Sequence, residues 1–130
     1  MPLLYFDLVG GRTPEEVRDL LDSAHAAVVE AFEVPEPDRY QVVNVHSADE
    51  IVALDTGLGF ERSERLVVIH VVSRRRTSAQ KQHFYSLLAD NLNRDCGLDA
   101  ADLIVSITEN ADEDWSFGGG RAQFLTGDLI

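Results

Sequence analysis

Arg74, Arg75 and Arg76 stand in succession in a chain with 11 Lys and Arg against 23 Asp and Glu. They close a segment that reads as a strand. Alternation along a strand puts Arg74 and Arg76 on one face and Arg75 on the other. Two guanidinium groups on one face suit a small carboxylate, which each can grip through a planar fork of N–H donors. The plainer alternative is a solvated basic strand end. A second candidate is Pro2. Once Met1 is removed, its secondary amine is a base when neutral and an acid when protonated. A free α-amino group titrates near ~8, and a pocket moves that value either way. The plainer alternative is a proline at the start of a strand, where its missing N–H does no harm. Asp38 is a third candidate, and the residues alone leave its role open. Asp102 occupies the equivalent place further along the chain, so both can be turn residues that start strands.

The formal charge of −12 opposes binding to nucleic acid or anionic lipid, where affinity comes from neutralising phosphates. A small anionic carboxylate remains compatible, because the few cations are concentrated. Cys96 is the single cysteine, so neither an internal disulfide nor a CxxC zinc or redox motif is available. His25, His46, His70 and His83 lack ligand spacing, and structural roles are the default for them. No metal and no cofactor is therefore expected. The opening Met1-Pro2-Leu3-Leu4-Tyr5-Phe6-Asp7 does not read as a signal peptide, and no apolar run reaches membrane-spanning length. A soluble cytoplasmic protein without membrane partners is the expectation.

What must position these residues is a tandem repeat at a constant offset of 64 residues. The strand Pro2–Val9 aligns with Leu66–Ser73, which is rich in β-branched residues. Arg12-Thr13 aligns with Arg76-Thr77. Thr13-Pro14-Glu15-Glu16 and Thr77-Ser78-Ala79-Gln80 are both capping boxes that open helices. Leu20, Leu21, Ala24 and Val28 recur as Phe84, Tyr85, Leu88 and Leu92, one apolar stripe per helix. The first helix ends near Phe32, before Pro35 and Pro37. The second ends near Cys96, where Gly97 supplies a left-handed cap. Strands follow at Tyr40–His46 and Leu103–Thr108. The halves, about 2–46 and 66–109, are each β-α-β. Together they form a four-stranded mixed sheet with both helices on one face, in the α/β (α+β) class. One domain over 1–130 is expected.

A polar connection, 48–64, joins the halves, and a tail, 110–130, follows the second. The tail holds Trp115, Phe117, Gly118-Gly119-Gly120 and Phe124. The glycines read as a turn, since no phosphate-binding pattern follows a strand here. The aromatics read as core, or as the apolar wall of a pocket at a subunit junction. Val42, Val68, Ile69, Val105 and Ile107 supply apolar side chains to both sheet faces, yet helices cover one face only. An uncovered apolar face asks for a partner. A homo-oligomer is expected, with the tail crossing onto a neighbour.

A duplicated β-α-β chain with proline directly after Met1 resembles the tautomerase superfamily, over essentially its whole length. Several segments are similar to the malonate semialdehyde decarboxylase family within it. They are Pro2-Leu3-Leu4, Gly11-Arg12-Thr13, Asp38-Arg39-Tyr40-Gln41, Asp55-Thr56-Gly57-Leu58-Gly59, Ser73-Arg74-Arg75-Arg76, Asp114-Trp115-Ser116-Phe117-Gly118 and Phe124-Leu125-Thr126-Gly127-Asp128-Leu129. Arg75 stands where the family has proline. The resemblance implies a closed homotrimer and a catalytic pair, Pro2 and Asp38. It also implies substrate contacts from Arg74 and Arg76, beside which Trp115, Phe117 and Phe124 are the expected substrate-facing apolar wall. The implied activity is cofactor-independent decarboxylation of a short 3-oxo acid, malonate semialdehyde giving acetaldehyde and carbon dioxide. Tautomerase, hydratase or dehalogenase chemistry on small unsaturated or 2-oxo acids is the alternative on the same scaffold. A non-enzymatic oligomeric binding module is a third.

Overall fold

The computed structural model describes residues 1–129; Ile130, the last residue of the expected tail, lies outside them. Helix α1 spans Pro14–Phe32 and α2 spans Ser78–Cys96. Each opens on a complete capping box. Thr13 Oγ1 accepts from the Glu16 N–H and the Glu16 carboxylate accepts from the Thr13 N–H; Thr77 and Gln80 repeat the arrangement. These bonds satisfy N–H groups that a helix start otherwise leaves without partners. At the far end of α2, Gly97 adopts φ 65°, and its N–H donates to Asn93. A left-handed residue here is cheapest as glycine, which has no Cβ to clash. Helix α1 ends instead on Glu33 at φ 54°, two residues before Pro35, which cannot continue a helix hydrogen-bond ladder.

Four strands form one sheet in the order β2-β1-β3-β4: β1 Leu3–Val9, β2 Tyr40–His46, β3 Val67–Arg74 and β4 Leu103–Asn110. Pairs β1/β2 and β3/β4 are parallel, while the central pair β1/β3 is antiparallel. The sheet is thus mixed, with α1 and α2 as its two main helices. Strand β1 starts one residue later than expected, since Pro2 has no N–H for a ladder. Strand β4 runs on to Asn110 because Asn110 pairs with Arg74 at the end of β3.

The core lies between the helices and one sheet face. Leu4, Phe6 and Leu8 of β1 and Val67, Ile69 and Val71 of β3 alternate inward with period two and are buried. Leu20, Ala24, Ala27 and Val28 of α1 meet Phe84, Leu88 and Leu92 of α2 above them. Phe32 and Phe84 meet as a tilted ring pair with centroids 4.8 Å apart, so the two helices close on each other at the end where the arginines lie. Val42 and Val68 point to the other face with Tyr5, His46 and His70, and no helix covers them.

The connection between the halves is less polar than expected. After a helical turn at Ala48–Glu50, it carries Val52, Leu54, Leu58 and Phe60 exposed to solvent. Beside it, Val42 and Val45 of the edge strand β2 are exposed as well. Its return to β3 is pinned by Asp102. This buried carboxylate accepts from the Ser63 N–H at 2.6 Å and from the Ser63 hydroxyl. Arg62 adds a bond to the Ala101 carbonyl. Asp102→Ala leaves both Ser63 donors without a partner. Hydrogen bonds to a charged group contribute roughly 1.5–3 kcal/mol, and urea unfolding is expected to register a loss of about that size. A loss under ~0.5 kcal/mol would show that Asp102 does not hold the connection.

Candidate functional site

Strand pairing brings the candidates to one end of the sheet. Leu3 at the start of β1 lies opposite Val72 near the end of β3 and opposite Tyr40 at the start of β2. The chain terminus, Asp38 just before β2, and Arg74 at the end of β3 therefore share one edge of the structure. The tail joins them, because β4 ends at Asn110 opposite Arg74.

Arg74 belongs to β3, and its guanidinium carbon sits 3.9 Å from the ring centroid of Phe124. Its Nη1 donates to Asp112 at 2.8 Å. Arg76 arrives differently. The chain has already left the strand, and the Arg76 N–H is held by the Glu109 carboxylate at 2.8 Å. Its side chain then folds back, with Nε donating to Ser73 Oγ and Nη1 to the Phe32 carbonyl. The guanidinium lies 5.0 Å from the Phe32 ring. Burial, and next the charge of Arg74, hold Arg76 below the usual arginine value, with Asp38 opposing. Strict alternation thus stops at Arg74. The expectation that it would carry Arg75 to the opposite face is corrected: exposed Arg75 lines the same open cavity as Arg74 and Arg76, about 590 Å³, with Asn110, Asp112 and Leu125.

The terminal ammonium of Met1 is ion-paired with Asp38. Asp38 itself is largely shielded, with 8% of its side chain exposed. Burial pulls the amine below its ordinary value of 8.0; the hydrogen bond and charge of Asp38 oppose this, and Arg76 and Arg74 add to the lowering. In this chain the Met1 amine takes the partner that a Pro2 amine would need, and Pro2 is buried directly behind it. Met1, Asp38, Tyr40, Phe117 and Leu129 line a second cavity of about 230 Å³, together with Pro35 and Pro37.

The tail aromatics form one stack. Trp115 lies parallel to Phe117 at 5.3 Å, and Phe117 stacks on Tyr40 at 5.5 Å and meets Phe124 edge-on at 5.5 Å. The indole N–H of Trp115 donates to Asn110 at 2.7 Å. Within the chain, then, the tail returns to its own sheet end. All seven sequence candidates, Pro2, Asp38, Arg74, Arg76, Trp115, Phe117 and Phe124, lie in this region. The residues not anticipated are Phe32, Tyr40 and Asp112. The offset of the repeat already placed Phe32 opposite Cys96 at a helix end, and Tyr40 directly follows Asp38-Arg39. Asp112 gave no signal, since its position depends on how far β4 runs.

Two models described as tautomerase enzyme match the chain, one over residues 38–118 and one over 2–61. The chain is 55% identical to a probable tautomerase of Bacillus subtilis (strain 168), YrdN, over 99% of its own length and 100% of that protein. The chain belongs to the tautomerase family. A solved malonate semialdehyde decarboxylase is similar to this chain at 55% identity and TM-score 0.97, covering 98% of this chain and 99% of the other. That protein was studied in wild-type and inactivated forms and with its first-position proline replaced by alanine, for its decarboxylase and hydratase activities. Another malonate semialdehyde decarboxylase, inhibited by 3-bromopropiolate, matches at 41% identity and TM-score 0.94, over 98% of this chain and 97% of that one. A fused 4-OT that forms a symmetric trimer shares the fold at 20% identity and TM-score 0.78, over 96% and 98% of the two chains.

The opposite end of the sheet explains why Asp38 and Asp102 differ. Asp102 and Arg12 are the repeat counterparts of Asp38 and Arg76. There the polypeptide runs straight through, so Asp102 binds Ser63, and Arg12 Nη2 donates to the Arg65 carbonyl at 2.6 Å. Asp102 thus holds a backbone at one end, while Asp38 holds a terminal amine at the other. The histidines divide among local partners: His25 with the Glu36 carbonyl, His46 with Asp7, and His70 with Thr108. No group of three or more potential metal ligands occurs among the described residues, and no helix among them is long and apolar enough to cross a membrane.

Asp38→Asn removes the negative charge that raises the amine's proton affinity, weakens the accompanying hydrogen bond, and leaves burial and both arginines in place. In a chain that retains Met1, the amine is therefore expected to titrate further below 8.0 than in the parent, so that it is neutral over a wider range of pH. An NMR titration of isotope-labelled Met1 reads this directly. An unchanged midpoint would separate Asp38 from the amine.

Proposed function

We propose that this protein is a carboxy-lyase acting without a cofactor on a short 3-oxo acid, with malonate semialdehyde giving acetaldehyde and carbon dioxide. The observation that carries this reading is the grouping of a terminal amine, Asp38, Arg74 and Arg76 at one sheet end. The resemblance to the malonate semialdehyde decarboxylases supports it. After Met1 is removed, Pro2 supplies the amine and Asp38 favours its protonated form. Arg74 and Arg76 hold the substrate carboxylate with its C–C bond perpendicular to the carbonyl plane. The Pro2 ammonium donates a hydrogen bond to the aldehyde oxygen. Electrons of the breaking C–C bond flow into the carbonyl, carbon dioxide leaves, and the resulting enolate takes a proton at carbon. In a variant of this route the neutral amine condenses with the aldehyde and expels water. The iminium ion formed accepts the same electron pair as an enamine, which is protonated at carbon and hydrolysed. Trp115, Phe117 and Phe124 form the apolar wall that disfavours localised charge on the carboxylate.

A second reading, proton transfer by a neutral Pro2 as in a tautomerase proper, is supported by the 55% identity to a probable tautomerase. The two readings need opposite charge states of Pro2 at working pH. Malonate semialdehyde supplied to Met1-processed protein distinguishes them by release of carbon dioxide.

We infer one domain over 1–130, in the cytoplasm, and a closed homotrimer. The uncovered sheet face and the exposed Val42, Val45, Val52, Leu54 and Leu58 would be buried against neighbours. Light scattering is expected to give three times the chain mass; a monomer of 14.4 kDa at micromolar concentration would rule the trimer out.

Pro2→Ala keeps a terminal amine but changes its basicity and rigidity, so a large loss of rate with the fold retained is expected. A chain that retains Met1 has Pro2 as an amide and should be inactive; full activity with Met1 shown by mass spectrometry to be present would sink the Pro2 mechanism. Arg74→Ala and Arg76→Ala each remove a charged donor contributing roughly 1.5–3 kcal/mol, which is about 10- to 150-fold in kcat/KM. Lysine should restore little, lacking the planar fork. Exposed Arg75→Ala should cost a few-fold at most, and the reverse ranking would show these assignments to be wrong.

A further inference from the structure

Arg74 is held in an incomplete way. Its Nη1 donates to one oxygen of Asp112 at 2.8 Å. Its flat face lies against Phe124. Its Nε is buried and has no hydrogen-bond partner among the described residues. A guanidinium satisfies a carboxylate best through two parallel N–H donors, and Asp112 uses one. A carboxylate that spanned Nη1 and Nη2 end-on would therefore bind Arg74 better than Asp112 does.

Asp112 is placed to give way. It opens the helical turn Asp112–Asp114, directly beyond the Asn110 that pairs with Arg74 in the sheet. Its side chain is 53% exposed, against 28% for Arg74. Releasing it therefore returns a carboxylate to water at little cost, while Arg74 stays fixed against Phe124. Asp112 and Arg74 also share the wall of the 590 Å³ cavity, so an entering anion meets both.

We propose that Asp112 is a resident carboxylate that occupies Arg74 when the site is empty and is displaced by the carboxylate of the ligand. This rests on the reading of Arg74 as the carboxylate anchor. Asp112 is then a positioning residue. It keeps the guanidinium aimed into the cavity and sets a threshold that an anion must exceed by engaging Arg74 through two donors. Anions that offer a single acceptor gain nothing over Asp112 and are excluded.

The test uses propanoate, a monocarboxylate with no reactive carbonyl, titrated by NMR into the Met1-processed protein and its variants. Asp112→Asn removes the competitor while keeping size and polarity. An exposed ion pair of this kind corresponds to about a 1.5- to 5-fold change in affinity, so propanoate Kd should fall by about that factor. Asp112→Glu retains the carboxylate and should keep the parent Kd, which a purely structural role for the turn would not require. A Kd for Asp112→Asn that is unchanged or higher overturns the proposal. Arg74→Ala, checked for folding by circular dichroism, separates the two levels. If it weakens propanoate binding while Asp112→Asn does not tighten it, the displacement idea is wrong and the anchor stands. If neither variant alters binding, the anchor itself is wrong, and the proposed site with it.

Discussion

Antiparallel pairing of the two central strands is the constraint on which the rest depends. With Leu3 opposite Val72, the start of β1 and the end of β3 must lie at the same edge of the sheet. Parallel pairing within each half then brings the start of β2 and the end of β4 to that edge too. Four separate stretches of chain, the terminus, residues 35–40, residues 74–76 and the tail, meet there without any loop having to reach for the others. Had the two halves packed with β1 and β3 parallel, the terminus and Arg74 would stand at opposite ends of strands about 20 Å long.

The electrostatics of that edge follow from the same arrangement. Two guanidinium groups and an ammonium lie together in a chain of net charge −12, which is tolerable because each has a local counterweight. Asp38 pairs with the amine, Asp112 with Arg74, and the Phe32 carbonyl and Phe32 ring receive Arg76. The aromatic tail withdraws these groups partly from water. Burial weakens the hold of the amine and of Arg76 on their protons and strengthens every remaining charge interaction around them. The opposite edge of the sheet shows how much depends on chain connectivity. Arg12 and Asp102 are matched there in kind, but a continuous backbone fills the place of the amine, and the result is a structural clip.

The core sets the rigidity of the edge. Phe32 is at once the last residue of α1, a tilted ring partner of Phe84 on α2, and the acceptor for Arg76. One side chain and its carbonyl thus tie the helix layer to the candidate site. Membership of the tautomerase family agrees with this fold, in which the two repeat halves supply the scaffold.

The sequence by itself determined the elements. Apolar runs at residues 2–9 and 66–73 mark two of the strands, and the 3.6-residue stripes of both helices record which side chains meet the core. Thr13, Thr77 and Gly97 mark helix ends through bonds made within a few residues. Local chemistry of this kind is written in neighbouring residues, so it is legible without the fold. Arg74 and Arg76 stood out because cations were clustered, whereas the residues alone left the roles of Pro2 and Asp38 open and the resemblance to the tautomerase superfamily singled them out. Tertiary structure decided everything that depends on distant residues meeting. It showed that Arg76 reaches the site by curling back onto Ser73 and Phe32, because the strand had already ended. It likewise showed Arg75 sharing the cavity, the connection exposing apolar side chains, and Asp38 and Asp102 taking different partners. Asp112 belongs to the same group: its meeting with Arg74 depends on the register of β4, and register is a property of paired strands, absent from either strand alone.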